Sequence, residues 1–170
     1  MTELVIIRIL LGVFVLCLLL SGITAIPLET ELGWLREWIL KTGFDSEHGL
    51  LSWISKIHQG LSDTNEKYPF MAYVTDWLAF AHFVIAVAFI GPLRDPSRNI
   101  WVIEFGMIAC CMVVPFALVA GEFRGIPLGW RFLDCAFGLV GLIPLWYSRL
   151  LARKLDCSLT TSTRGNSEHK

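Results

Sequence analysis

The sequence predicts an all-α integral membrane protein: a bundle of four transmembrane helices with an amphipathic helical cap on the extracytoplasmic side. The chain has 170 residues and is 55% hydrophobic, and its mean hydropathy of +0.60 is higher than one soluble core requires. Four apolar runs approach the ~20 residues that cross a ~30 Å hydrocarbon layer. They lack the alternation of barrel strands, so helices must satisfy the backbone polar groups in lipid.

The predicted spans are residues 4–26, 71–92, 100–121 and 128–150, all within one transmembrane domain of residues 1–155. The first run is also compatible with a secretory signal, because "SGITA" ends in a small residue. It is long for such a signal, however, and Arg8 is the one basic residue before its centre. A cut after Ala25 would place the unfavourable Ile23 at the third position before it. We therefore expect a retained helix, with cleavage as the alternative.

Basic residues in the short flanks predict the orientation. Arg94 and Arg98 lie between the second and third runs, and Arg149, Arg153 and Lys154 follow the fourth. The positive-inside rule then places these flanks, and both termini, in the cytoplasm. The loop of residues 27–70 would lie outside, and its seven acidic residues against four Lys and Arg residues agree with that assignment.

The outer loop carries two stretches with helical apolar spacing. The positions are Leu28, Leu32, Leu35 and Ile39 with Trp34 and Trp38, and then Leu50, Ile54, Ile57 and Leu61 with Trp53. They predict two amphipathic helices, interrupted near "TGFDSEHG", that lie on the outer leaflet or cap the bundle. A partner-binding surface is the alternative. The tail of residues 156–170 has no apolar period and is predicted to be disordered and cytoplasmic.

Four ionisable residues inside the spans form the candidate polar cluster: Asp76, His82, Arg131 and Asp134. The helical rise places Asp76 roughly 8 Å from the outer edge, His82 near the midplane, and the other two near the depth of Asp76. The structural interpretation pairs Arg131 with Asp76, Asp134 or both, while a neutral His82 donates one hydrogen bond. The functional interpretation is that one of these groups exchanges a proton or binds a cation or polar ligand.

One face of the fourth helix carries Arg131, Asp134, Gly138 and Gly141 at spacings of three or four residues. Small residues allow neighbouring helices to approach closely in a membrane. The spacing therefore predicts that this face, including Asp134, points into the bundle.

A second polar layer is predicted near the cytoplasmic edge, where Arg8 and Glu104 each enter by about four residues. We expect these two side chains to form an ion pair. The intervening "GPLRDPSRN" reads as a tight turn with positive-inside charges. Contacts of Arg94 and Arg98 with a lipid headgroup or phosphate are the alternative.

Most sequence motifs for catalysis and cofactor binding are absent from this chain. The five cysteines have no zinc or CxxC spacing, and one midplane histidine cannot supply both axial ligands of a bis-histidine haem. Glu-x-x-His, HExxH, Walker and GxSxG motifs are absent from the sequence. We therefore predict no metal and no cofactor, with haem or an incomplete site of Asp76, His82 and Asp134 as the alternative. Catalytic residues stay unassigned, and the net charge of -1 disfavours nucleic-acid binding.

Several segments carry a resemblance: "YPFMAYVTDWLAFAH", "FIGPLRDPSRNIWVIEFGMIAC" and "RGIPLGWRFLDCAFG". They resemble those of a group of uncharacterised bacterial multi-pass integral membrane proteins. The resemblance implies a bacterial cytoplasmic membrane and a multi-pass topology, and it implies no activity.

The sequence thus favours a non-enzymatic role, as an accessory or a small-ligand or lipid-binding membrane component. Its expected partners are the lipid bilayer and a membrane protein or a second copy of the chain. The alternative is a membrane enzyme or a proton-coupled transporter that uses the intramembrane cluster.

Overall fold

The structure, a computed structural model, describes residues 2–43 and 49–167, with side chains to residue 157. In these ranges it contains α-helices and one short 3₁₀ helix, Pro69–Ala72, and no strand. The α-helices are α1 Thr2–Ala25, α2 Leu28–Thr42, α3 Leu50–Lys67, α4 Tyr73–Ala88, α5 Ile90–Arg94, α6 Ile100–Phe123 and α7 Leu128–Ser167. The predicted all-α class is confirmed.

Four helical segments are long and apolar enough to cross a membrane: Thr2–Ala25, Pro69–Arg94, Ile100–Phe123 and Leu128–Cys157. Each overlaps one of the four predicted spans, and the fourth extends past residue 150. The second segment is composite, because α4 ends at Ala88 and α5 begins at Ile90. Pro92 has no N–H to donate to the carbonyl of Ala88, four residues earlier, which accounts for this interruption.

The loop between the first two segments contains both amphipathic helices, α2 and α3. Gly43 ends α2 with φ of 65°, and its N–H donates to the carbonyl of Ile39 at 3.0 Å. Gly49, with φ of 67°, precedes α3. Positive φ is the conformation that glycine adopts without steric cost. Residues 44–48, the middle of the predicted interruption, lie outside the described residues.

The last helix is longer than predicted. The sequence predicts disorder from residue 156, whereas α7 is helical to Ser167. No proline or glycine follows Pro144 until Gly165, so nothing interrupts the backbone hydrogen bonding. Extending an existing helix costs far less than nucleating one, and the lack of an apolar period did not prevent that extension.

The chain divides into two compact units. The first comprises Met1–Cys17 and Ala86–Lys170. In it α6 packs along α7. Its buried apolar residues include Ile7, Leu11, Phe89, Pro92, Val102, Ile103, Leu145 and Ala152. The packing of α6 on α7 is close, since a Cβ added at Gly138 would lie 2.6 Å from the carbonyl oxygen of Cys110. Ser148 is also buried here, and its hydroxyl has no hydrogen-bond partner in the described part of the chain.

The second unit is Leu18–Ile85. Here α2 packs on α3, and α3 on the 3₁₀ helix, with Ile39 and Ile54 buried. The end of α1 approaches α4 at Gly22, where an added Cβ would lie 3.1 Å from the carbonyl oxygen of Ala79. This unit positions Asp76 and His82, the two ionisable residues of α4.

Candidate functional site

Asp76 lies on an exposed aromatic face at the start of α4. Together with Tyr73, Trp77 and Phe80 it lines a shallow, open concavity of about 270 Å³, close to the lower end of the range for small-molecule sites. The ring centroids of Tyr73 and Trp77 are 5.9 Å apart and those of Trp77 and Phe80 5.5 Å apart, both edge to face. At 100° per residue the four positions fall within an arc of roughly 100°. The sequence identified Asp76 but missed the three rings, whose i, i+4, i+7 spacing was the available signal.

His82 is half-buried on the other side of the same helix, roughly 180° from Tyr73. Its Nδ1 lies 2.8 Å from the carbonyl oxygen of Leu78. A carbonyl only accepts, so Nδ1 carries the proton and donates. This is the single hydrogen bond that the sequence predicts for His82. Its Cβ faces Gly22 of α1, so His82 has a packing role and does not share the Asp76 face.

Arg131 has its partners at the connection between α6 and α7. Its Nε donates to the carbonyl of Ile126 at 2.7 Å, and its Nη1 donates to the carboxylate of Glu122. The side chain is 13% exposed, and its stem packs against Gly121. Glu122 was not among the predicted site residues. The available signal was an acid and a base on either side of the short connection between the third and fourth predicted spans.

We expect Arg131→Gln to lower the thermal midpoint of unfolding in detergent, because it removes a charged donor from the part-buried carbonyl of Ile126. In a double-mutant cycle with Glu122→Gln, the coupling should be about 0.5–1 kcal/mol, since the carboxylate side chain is 74% exposed. Additivity of those two changes would contradict the contact. The same cycle with Asp76→Asn tests the pairing of Arg131 with Asp76, which stays a prediction.

Asp134 belongs to the face of α7 that the sequence predicts to point into the bundle. Arg131 and Gly138 of α7 do face α6, at Gly121 and at Cys110, whereas the side chain of Asp134 is exposed. It is offset from Arg131 by roughly 60° around the helix, at the edge of the packed face. The packing of α6 on α7 thus leaves Asp134 exposed, and its inward orientation in the four-helix bundle stays a prediction. Asp76 and His82 belong to one unit and Arg131 and Asp134 to the other; their assembly into one cluster stays a prediction.

The structure gives Arg8 and Glu104 other partners than each other. Glu104 accepts from Arg149 Nε at 2.7 Å and Arg153 Nη2 at 2.9 Å. Arg8 instead donates to the carbonyls of Leu93 at 3.1 Å and Arg94 at 3.3 Å. These two residues end α5, where carbonyl groups have no partner within the helix. The i, i+4 spacing of the two α7 arginines puts both guanidinium groups beside one carboxylate of α6.

The turn between α5 and α6 is built around Asp95. Its carboxylate accepts from the backbone N–H of Arg98 at 3.2 Å and from the Ser97 hydroxyl at 2.9 Å. These two hydrogen bonds, followed by the Arg98 charge, hold the pKa of Asp95 below its ordinary value. Arg94 and Arg98 are both exposed, and Arg98 Nε lies 3.5 Å from Asp95. The tight turn is present, while headgroup or phosphate contacts of the two arginines stay a prediction.

Polar contacts that were not predicted from the sequence join α2 to α3. Glu29 accepts from the Asn65 amide at 2.6 Å, and Arg36 Nε donates to the Ser55 hydroxyl at 3.1 Å. The Asn65 hydrogen bond, then that from Ser62, lowers the pKa of Glu29. Trp34 and Trp38 are 70% and 53% exposed. The two helices thus contact each other partly through polar groups and leave indole rings exposed.

Comparison of the chain with protein-family models, with curated proteins and with solved structures gives no match. Within residues 2–43 and 49–157, no group of three or more His, Cys, Asp and Glu side chains is placed to hold a metal ion.

Proposed function

We propose that this chain is a non-enzymatic component of a bacterial cytoplasmic membrane, with both termini cytoplasmic, that binds a polar lipid or small polar ligand in the outer half of the membrane. One observation carries the proposal: the exposed carboxylate of Asp76 shares a concavity with three aromatic rings. An ionisable side chain within a span is costly and usually has a polar partner. Aromatic residues are enriched at the level of the lipid headgroups.

The loop helices support the same assignment. The exposed Trp34 and Trp38 of α2 suit the interface between headgroups and acyl chains. The acidic balance of residues 27–70 agrees with an extracytoplasmic location. The resemblance to bacterial multi-pass proteins supports the choice of membrane.

A membrane enzyme or proton-coupled transporter would use Asp76, His82, Arg131 and Asp134 together. Two of these residues have local structural partners: His82 donates within its own helix, and Arg131 binds Glu122 and the Ile126 carbonyl. Such contacts are typical of residues that stabilise helix ends and packing. These contacts favour a binding role for Asp76, the exposed carboxylate of α4, over a reaction that uses all four residues.

The test is purification of the full chain in a mild detergent, followed by mass spectrometry of the retained lipids and an absorption spectrum. We expect a specific lipid to be retained by the wild type and depleted in Asp76→Asn. Glu37→Gln is the control, because Glu37 pairs with Lys41 on an exposed surface of α2. A Soret band, stoichiometric metal, or the absence of any specifically retained lipid would overturn the proposal.

A further inference from the structure

The face of Asp76 has the chemistry of a cation site. Tyr73, Trp77 and Phe80 are 61%, 55% and 54% exposed, so their rings are available to a ligand. The two edge-to-face contacts turn neighbouring rings by 85° and 86°, which presents ring faces in different directions around the concavity. A cation is attracted to the face of an aromatic ring, most strongly to that of tryptophan. Neutral apolar ligands would gain nothing from the carboxylate.

The charge of Asp76 also favours a cationic ligand. Asp76 is exposed and has no ion-pair partner among residues 18–43 and 49–85 of its unit. Of the basic side chains there, Arg36 binds Ser55 and Lys41 binds Glu37. A carboxylate beside three aromatic rings at the end of a candidate span loses part of its hydration. A cationic ligand would replace that hydration with a charge-assisted hydrogen bond.

The position along the segment selects a lipid headgroup as the source of the cation. Asp76 lies seven residues after Pro69, where the candidate span begins, which is roughly 10 Å along the helix axis. The polar layer of a bilayer adds about 5–8 Å on each side of the hydrocarbon core. The 26 residues of Pro69–Arg94 span roughly 39 Å as a helix, close to the ~40–45 Å of a bilayer with its polar layers. With Pro69 at the outer surface of the polar layer, the carboxylate would lie near the boundary of the two layers, within reach of the headgroup of a neighbouring lipid.

The geometry also favours a primary ammonium over a quaternary one. A primary ammonium has N–H groups to donate to the Asp76 carboxylate, whereas a trimethylammonium group has none. Quaternary groups are recognised in aromatic cages that surround them, but here the rings line one side of an open concavity. The phenol O–H of Tyr73 can also donate a hydrogen bond to a headgroup phosphate.

We propose that the Asp76 face, formed by Tyr73, Asp76, Trp77 and Phe80, binds the ammonium group of an ethanolamine phospholipid. This inference rests on the proposed lipid-binding function and names the headgroup. Asp76 accepts a charge-assisted hydrogen bond from the ammonium, and the faces of Trp77 and Phe80 contact the same charge. The acyl chains lie along the apolar surface of α4.

The test is native mass spectrometry of the full-length protein with four lipids of identical acyl chains. These are phosphatidylethanolamine, its N-monomethyl derivative, phosphatidylcholine and phosphatidylglycerol. We expect occupancy to fall in that order. Asp76→Asn should weaken phosphatidylethanolamine binding about 10-fold and remove its preference over phosphatidylcholine, while Trp77→Leu should weaken it several-fold and Trp77→Phe less.

Trp101→Leu is the matched control. Trp101 is an exposed tryptophan at the start of α6, three residues before Glu104, whose carboxylate is already paired with two arginines. Its loss should leave the headgroup preference unchanged. Thermal midpoints establish that each variant folds; if Asp76→Asn does not, the comparison of Trp77→Leu with Trp77→Phe decides.

The outcomes separate the two proposals. Lipid binding with equal occupancy of all four headgroups, or an unchanged preference in both Asp76→Asn and Trp77→Leu, would overturn the ethanolamine site and leave lipid binding standing. Tighter binding of phosphatidylcholine would replace the primary ammonium with a quaternary one and overturn the inference as stated. Failure of the wild type to bind any of the lipids would overturn the proposed function itself.

Discussion

Gly138→Ala should destabilise the packing of α6 on α7 more than any other single-methyl change in this helix pair. The added Cβ would lie 2.6 Å from the backbone carbonyl oxygen of Cys110 and 3.1 Å from Cβ of Val113. Neither atom is the end of a flexible side chain, so the helices must move apart. Overpacking of this kind costs about 1–3 kcal/mol, which corresponds to a fall of roughly 2–12 °C in the thermal midpoint of a chain this size.

Gly129→Ala is the control on the same helix. Nothing lies within 4 Å of a Cβ added there, and alanine is the better helix former by about 1 kcal/mol. We therefore expect this variant to keep or slightly raise the midpoint. Equal midpoints for Gly138→Ala and Gly129→Ala, measured in the same detergent, would contradict the close approach of α6 and α7.

Glu104→Gln is expected to have the second large effect. The change removes the one carboxylate that Arg149 and Arg153 share and leaves two neighbouring guanidinium groups to repel each other. The side chain of Arg149 is 22% exposed and that of Arg153 56%. Solvent therefore weakens the pair of Arg149 with Glu104 less than the pair of Arg153 with Glu104. We expect the midpoint to fall by several degrees for Glu104→Gln, less for Arg149→Gln, and least for Arg153→Gln.

Glu37→Gln is the matched control for this series. Its partner Lys41 lies 3.8 Å away, with side-chain exposures of 65% and 79%, and exposed pairs of this kind contribute little. Its midpoint should stay within error of the wild type. If Arg8→Gln coupled to Glu104→Gln while Arg149→Gln did not, the pairing seen in the structure would be contradicted in favour of the one expected from sequence.

The Asp76 face could be predicted from the spacing of its residues along one helix. A carboxylate in an apolar run is visible in the sequence, and so are Tyr73, Trp77 and Phe80 at i, i+4 and i+7. Their assembly depends on one helix, whose geometry is fixed at 100° per residue. The site was therefore open to prediction, although only Asp76 of its four residues was singled out from the sequence.

The ion pairs were harder to predict. Estimates of depth placed Arg8 level with Glu104, yet Glu104 binds Arg149 and Arg153. Depth follows from counting residues along one helix, but pairing also requires the rotation and register of two helices. A single residue of register turns a side chain by 100°, which is enough to exchange one partner for another.

The sequence by itself determined the all-α class, the four segments able to cross a membrane, and the two amphipathic helices between the first two. These depend on run length, hydropathy and apolar period, which are local properties of the chain. Only the tertiary structure decided that Glu122 is the partner of Arg131, that Asp134 is exposed, and that Gly138 touches the backbone of α6. Each of these depends on how one helix is rotated against another, and side-chain packing fixes that rotation.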